Sequence, residues 1–238
     1  MNTNKNRFFR FVVVTMLYTI IGWAACTPMD HYYSEFAKLG DRVYVGKLDS
    51  VWLYSGYNRV KLAWESPSDP SVNRVVVYWN ANRDSVEHTV DKTLDTGAII
   101  IEGLAEGLQT LNAVTYDSKG NRSLTKEISV EVYGDRFQEN TVRNRTIESV
   151  FIRSDSVFVN WFEEFAETMV RTEFTYSDLA GTKHTVSLPK DSLQLGFSDI
   201  DLAKDVSYRS FFSPSPLALD FFVSEEEQVN LQNYETSD

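Results

Sequence analysis

Cysteine, basic residues and long apolar runs are all scarce in this sequence. Its 238 residues include one cysteine, Cys26, which excludes an internal disulfide and a cysteine-based metal site. Lys and Arg number 23 against 34 Asp and Glu, a net charge of −11. A chain with this charge and no basic cluster repels phosphate backbones, so nucleic acid is excluded as a partner. Aromatic residues, at 13%, are abundant enough for a packed core.

The amino-terminal segment has the parts of an export signal. Lys5, Arg7 and Arg10 precede an uncharged run over residues 11–25. This run is shorter than the roughly 20 apolar residues that span a bilayer, so a permanent transmembrane helix is the poorer interpretation. The pair Ala24-Ala25 directly before Cys26 resembles a bacterial lipobox. We therefore expect a signal peptide over residues 1–25, lipidation of Cys26 and a tether over residues 26–45.

The remaining sequence repeats itself at an offset of about one hundred residues. Residues 49–53 match residues 148–152, Trp64 matches Trp161, residues 74–79 match 171–176, and residues 87–90 match 183–186. A near-constant offset over several blocks indicates two copies of one domain. Each copy has about seven short alternating segments separated by turn residues, a pattern typical of a β-sandwich.

This pattern predicts an all-β protein of two tandem immunoglobulin-like or fibronectin type III-like β-sandwiches after a lipoprotein signal peptide. The first sandwich is expected over residues 46–133 and the second over residues 146–223. A polar linker over residues 134–145 is expected between them, followed by a frayed acidic tail over residues 224–238. Trp64 and Trp161 are expected in the two cores.

Catalytic motifs are missing from the sequence. It has no HExxH, CxxC, GxSxG or GxxxxGK pattern. The match of residues 87–90 with 183–186 gives His88 and His184 the same place in two separate domains, where they would not share a metal ion. We expect no enzyme activity, no cofactor and no metal site. A glycosidase that uses paired carboxylates, Glu163-Glu164 or Asp199 with Asp201, is a distant alternative.

A set of short sequence blocks extends over about residues 30–147. The blocks are residues 29–30, 32–33, 40–44, 46–47, 49–51, 58–62, 64, 68–70, 78–80, 84–86, 117, 120–121, 133–135 and 143–145. Together they resemble domain-of-unknown-function family 4998, a family of Bacteroidota surface lipoproteins. The resemblance implies a fibronectin type III-like fold and a lipid anchor in the outer membrane, at the cell surface. It also implies a gene beside outer-membrane glycan-import systems, with an envelope protein or a glycan as partner.

Several aromatic side chains are candidates for ligand contact. Trp52, Tyr54 and Tyr57 together form a potential stacking platform for sugar rings, and Trp79 joins them if its strand turns that face outward. Tyr78 and Trp79 are consecutive, so they point to opposite faces of their strand and one of them must leave the core.

Four serines follow an aspartate and precede an aliphatic residue: Ser50, Ser85, Ser156 and Ser192. This resembles the O-glycosylation pattern of exported Bacteroidota proteins. The alternative is that Asp and Ser simply end a turn before a strand.

The leading functional interpretation is a non-catalytic cell-surface spacer or interaction module, in an outer-membrane glycan-capture system. The alternative is a carbohydrate-binding protein with an exposed aromatic platform.

Overall fold

A computed structural model of the chain describes residues 9–10, 12–13, 15–16, 43–153 and 156–234. The chain divides after Tyr44, and the described residues from Val45 onward belong to one compact unit. Cys26 and nearly all of the predicted signal peptide and tether lie outside the described residues. In the described part of the chain, no helix combines the length and the apolar character needed to cross a membrane.

The first sandwich consists of seven antiparallel strands in two sheets. One sheet has the order β1-β2-β5 and the other the order β4-β3-β6-β7. Since side chains alternate along each strand, one face of each sheet is apolar and packs on the other sheet. The strands are β1 (Val51–Gly56), β2 (Arg59–Glu65), β3 (Val72–Trp79), β4 (Asp84–Thr89), β5 (Thr96–Glu102), β6 (Gly107–Asp117) and β7 (Lys126–Val132).

The second sandwich repeats this arrangement with one modification. Its sheets have the orders β12-β9-β8 and β11-β10-β13-β14, and β15 also pairs with β13. The last strand of the sandwich is thus split into two short pieces. The strands are β8 (Ile147–Arg153), β9 (Ser156–Trp161), β10 (Met169–Ser177), β11 (Lys183–Pro189), β12 (Gln194–Phe197), β13 (Val206–Phe212), β14 (Phe222–Val223) and β15 (Glu227–Val229).

In both sandwiches the first, second and fifth strands face the remaining ones. This three-on-four topology is that of a fibronectin type III domain, so the predicted fold of two tandem fibronectin type III-like sandwiches is confirmed. Trp64 and Trp161 are each 1% exposed, and each belongs to the hydrophobic core of its own sandwich. The prediction that both are core residues is confirmed.

The segment between the sandwiches is structured, although a polar linker was expected there. Asp135–Thr141 form helix α1. Glu106, from the loop before β6, accepts hydrogen bonds from the backbone N–H groups of Arg136 and Phe137 at 2.8 and 2.9 Å. Because the first-turn N–H groups of a helix have no partner within the helix, this carboxylate satisfies two of them.

A third apolar cluster, the junction cluster, joins helix α1 to the second sandwich. The Phe222 ring lies 4.8 Å from the Phe137 ring and 5.5 Å from the Tyr57 ring. Tyr57 lies between β1 and β2, Phe137 lies in helix α1 and Phe222 lies in β14, so these ring contacts tie together segments that are remote in sequence. Its buried members are Val142, Met169, Phe212 and Phe222, with Tyr133, Phe137, Phe165 and Ala166 packed against them.

The prediction of a frayed tail after residue 223 is wrong for the described residues. Glu227 and Val229 pair with Tyr208 and Val206 of β13. Leu231, in the 3-10 helix Leu231–Tyr234, is 1% exposed and belongs to the second core. The sequence of this segment is mostly acidic and polar. Val229 and Leu231 are its few apolar residues, too few to predict a strand.

Candidate functional site

An aromatic face lies on the outer side of the sheet β1-β2-β5, and we define it by Trp52, Tyr54, Lys61 and Ile100. Strand alternation turns Val51 and Leu53 toward the first core and leaves Trp52 and Tyr54 outside.

Exposure and spacing make this face accessible. Trp52 is 40% exposed, Ile100 is 48% exposed, and Tyr54 is half-buried. Lys61 is the cross-strand partner of Tyr54, and its Nζ lies 5.4 Å from the centre of the tyrosine ring. Trp52 and Tyr54 are two residues apart, a spacing of about 7 Å along a strand.

The other two predicted contact residues lie elsewhere. Tyr57 is 42% exposed and its hydroxyl donates to Asp135, which places it at the junction of the sandwiches. Trp79 is half-buried and packs against the first core. Tyr78 is the member of the consecutive pair that leaves the core, and its hydroxyl lies 3.0 Å from that of Tyr116. Of the four predicted residues, the structure brings only Trp52 and Tyr54 together.

The four candidate serines differ in their surroundings. Ser85 is exposed in β4, whereas Ser156 and Ser192 are half-buried. The hydroxyl of Ser50 donates to a carboxylate oxygen of Glu65 at 2.8 Å. Glycosylation stays a prediction, and Ser85 is its most accessible position.

A polar cleft separates the two sandwiches on one side of the junction. It has a volume of about 570 Å³ and is lined by Tyr57, Asn58, Arg59, Glu102, Gly103, Asp220 and Phe221. The Arg59 guanidinium of β2 donates to both carboxylate oxygens of Asp220, at 2.9 and 2.5 Å. The backbone N–H of Tyr57 donates to the same carboxylate at 3.0 Å, and the N–H of Leu219 donates to the carbonyl of Ser55 at 2.7 Å.

The electrostatics of the cleft are those of a structural ion pair. The hydrogen bonds from Arg59 hold the pKa of Asp220 below its ordinary value. A general acid of a glycosidase needs a raised pKa, which is the opposite shift. Glu102 lies on the other side of the guanidinium, with its oxygen 4.0 Å from Arg59. The Arg59–Asp220 ion pair therefore joins the two sandwiches across the cleft, and Asp220 does not have the raised pKa of a general acid.

A second polar group lies at one end of the second sandwich, where sequence reasoning expected no metal site. Asp178, His184 and Asp199 each present one ligand atom within 4.8 Å of the other two. The sequence signal was weak because these residues lie in three separate segments. Asp178 follows β10, His184 is in β11, and Asp199 follows β12.

The expected equivalence of His88 and His184 is wrong. His88 pairs across its sheet with Val75, whereas His184 pairs with Tyr176. The residue opposite Trp79, which corresponds to Tyr176 in the repeat, is Asp84. Asp84 follows its partner Trp79 by five residues, whereas His184 follows its partner Tyr176 by eight. The two hairpins therefore pair in different registers, and the sequence match does not place the two histidines at equivalent positions.

An unpartnered charge is buried in the second sandwich. Arg145 is 1% exposed, and its three side-chain nitrogens have no hydrogen-bond partner among the described residues. The guanidinium lies 5.7 Å from the Trp161 ring centre and 5.0 Å from that of Phe165. Burial lowers the pKa of Arg145, and the charge of Asp191 opposes that shift. Stacking on two ring faces is the compensation that the structure offers this charge.

Comparison with solved structures gives similarities at low identity. The chicken CNTN1 FN1-FN3 domains align at 11% identity and a TM-score of 0.43, over 77% of this chain. This chain covers 64% of that structure's length. A segment of two fibronectin type III domains from chicken tenascin aligns at 13% identity and a TM-score of 0.31, over 77% of this chain and 97% of the segment.

Comparison with curated proteins finds no match. A family model does match, and it is DUF4998, described as a domain of unknown function, over residues 26–222. The match extends beyond the residues 30–147 that carried the resemblance in the sequence and includes most of the second sandwich. The chain therefore belongs to the DUF4998 family.

Proposed function

We propose that this chain is a non-catalytic, lipid-anchored spacer and interaction module at the cell surface. The observation that carries the proposal is the packed junction between the two sandwiches. A capped helix, a shared apolar cluster and the Arg59–Asp220 ion pair replace the free linker that would let two modules move independently. A module of this kind holds a binding surface at a set distance from its anchor.

The anchor in this proposal is an acylated Cys26 in the outer membrane. It is supported by the basic start of the chain, the short apolar run and the small residues before the cysteine. Two acyl chains already give stable attachment, since each buried CH₂ contributes about 0.8 kcal/mol. The partner in this proposal is an envelope protein or a glycan.

The test is surface-protease shaving of intact cells together with membrane fractionation. Wild type, Cys26→Ala and the matched control Thr27→Ala are compared. We expect wild type and the control to be membrane-bound and cleaved by external protease, and Cys26→Ala to be released. A wild-type protein that resists external protease while staying membrane-bound would refute surface display. Membrane retention of Cys26→Ala would refute the anchor.

The second candidate function is carbohydrate binding, which the aromatic face favours. Trp52 and Tyr54 lie side by side on an exposed sheet surface, and Lys61 beside them offers a hydrogen-bond donor. Rings at an exposed surface retain an apolar face for stacking.

A glycan array separates the two functions. The Cys26→Ala protein is applied alone and with Trp52→Ala or Tyr54→Ala. Phe162→Ala serves as the control, because Phe162 is 45% exposed and lies in the second sandwich. Binding that both aromatic-face variants lose and the control retains would establish carbohydrate binding. No binding, or equal loss in all three variants, would leave the spacer function alone.

A further inference from the structure

The grouping of Asp178, His184 and Asp199 has the donor atoms of a metal site. Imidazole and carboxylate together suit zinc and neighbouring divalent transition metals, whereas Ca²⁺ and Mg²⁺ prefer oxygen alone. Three protein ligands at about 2.1 Å from a tetrahedral zinc ion lie about 3.4 Å from one another. The separations here, all within 4.8 Å, need only side-chain rotation to reach that value.

Two of the three ligands are already in place. One oxygen of Asp178 accepts the backbone N–H of Thr182 at 2.7 Å, which fixes the carboxylate. Its other oxygen lies 2.8 Å from Nε2 of His184. The His184 ring lies 5.3 Å from the Tyr176 ring, which borders the second core. A ligand pair held by its neighbours loses little freedom when a metal ion binds.

The third ligand is near and uncommitted. The carbonyl of Asp199 accepts the N–H of Leu179 at 2.8 Å, and Ile200 forms a β-bridge with Asp178, so the two loops are joined. The Asp199 side chain is exposed, and its carboxylate accepts one long hydrogen bond from a described residue, that of the Tyr176 hydroxyl at 3.4 Å. Rotation of this carboxylate toward His184 therefore breaks little.

The group of Asp178, His184 and Asp199 is accessible to a cation from the solvent. The side chain of His184 is 41% exposed and that of Asp178 is 16% exposed, so the site opens to solvent. A chain with a net charge of −11 attracts cations from a distance. Among the described residues, this is the one group of three His, Cys, Asp or Glu side chains with ligand atoms this close.

We propose that Asp178, His184 and Asp199 bind one divalent transition-metal ion of the zinc class, with coordination positions left open to solvent. The ion would join the turn after β10 to the loop after β12. The first sandwich supplies an internal contrast, since His88 packs edge-to-face on Trp64 at 5.3 Å, away from such a group.

The test is isothermal titration calorimetry with Zn²⁺ on the full chain. The protein carries Cys26→Ala, which removes its one thiol, and no histidine tag. We expect one ion per chain. His184→Ala and Asp199→Asn should each weaken binding at least about tenfold, equivalent to about 1.4 kcal/mol. The controls His88→Ala and His31→Ala should bind like the parent protein.

Titration with Co²⁺ adds a readout that a change in folding does not imitate. A visible ligand-field absorption band should appear in the parent and in His88→Ala, and be absent in His184→Ala. Circular dichroism confirms that each variant is folded. The proposal is overturned if the parent binds no Zn²⁺, if His184→Ala binds as tightly as the parent, or if either control loses binding.

Discussion

The two sandwiches share one topology but fill it with different side chains. In the first core, Trp64 is the one buried aromatic residue among the described ones, and the rest are aliphatic. The second core has five buried aromatic residues among its aliphatic ones, namely Trp161, Phe174, Tyr176, Phe197 and Tyr208. The Trp161 ring meets the Tyr208 ring edge-to-face at 5.1 Å. One pattern of alternation thus specifies the topology, while the choice of apolar residue is left to packing.

The two sandwiches also differ in how they are completed. The first ends with a continuous strand, β7, whereas the second is closed by two short strands and a 3-10 helix. The second sandwich therefore depends on residues whose sequence looks like a solvated tail. Five substitutions, in four experiments, test the differences between the two sandwiches and the junction that joins them.

Leu231→Ala should have the largest effect. Its side chain is 1% exposed in the second core, and a leucine-to-alanine change at such a site costs about 2–5 kcal/mol. Urea unfolding followed by Trp161 fluorescence, in a protein whose other tryptophans are replaced by Phe, reports on the second sandwich. Leu217→Ala is the control, because Leu217 is 51% exposed. Equal stability of the two variants would support the prediction that the tail is frayed.

Gly97→Ala and Gly196→Ala compare a glycine in the fifth strand of each sandwich. A Cβ at Gly97 would lie 2.6 Å from the buried Trp64 ring, and one at Gly196 would lie 2.9 Å from the half-buried Phe158 ring. Trp64 has no room to move, whereas Phe158 borders solvent. We expect Gly97→Ala to cost about 1–3 kcal/mol and Gly196→Ala to cost less, measured by urea unfolding. The reverse order would mean that the Phe158 ring is held more rigidly than the Trp64 ring.

Arg145→Met should stabilise the second sandwich by about 1–3 kcal/mol, because it removes a buried charge without a hydrogen-bond partner and keeps most of the volume. The control is Arg143→Met, since Arg143 is exposed. Thermal melting of the two variants provides the measurement. A loss of stability in Arg145→Met alone would show that stacking on Trp161 and Phe165 outweighs the burial of the charge.

Asp220→Asn should have the smallest effect, about 1 kcal/mol at pH 7, because the pair with Arg59 is partly exposed. The pKa of Asp220 is lowered in the folded protein, so its stabilisation is complete above the ordinary aspartate pKa of about 3.9. The stabilisation is lost as the pH falls through the lowered value. Unfolding curves of wild type and variant should therefore converge in acid, and a constant difference would contradict the linkage.

Sequence alone predicted the strands well wherever alternation was strong. Residues 59–64, for example, alternate polar and apolar side chains in the sequence, and the structure has the strand Arg59–Glu65 there. The core residues Trp64 and Trp161 could be predicted for the same reason, because the inward positions of the strands are apolar.

Neither the junction nor the group of Asp178, His184 and Asp199 could be predicted from the sequence. Helix α1 depends on Glu106, which caps it from about thirty residues away, and the junction cluster depends on Phe222. Such contacts between distant segments leave no local pattern. His184 was misplaced because the hairpin of β10 and β11 pairs in a different register from the hairpin of β3 and β4, and a repeat alignment does not detect that difference.

The ion pair and the capped helix at the junction have a thermodynamic consequence for any partner that touches both sandwiches. Two domains on a free hinge lose orientational entropy when a partner fixes them, and that loss subtracts from affinity. Here the connection between the sandwiches is already ordered in the folded chain, through the contacts of Arg59, Asp220 and Glu106. A binding surface that spans the junction is therefore pre-organised. A partner that contacts both sandwiches would bind without the entropy loss of fixing two mobile domains.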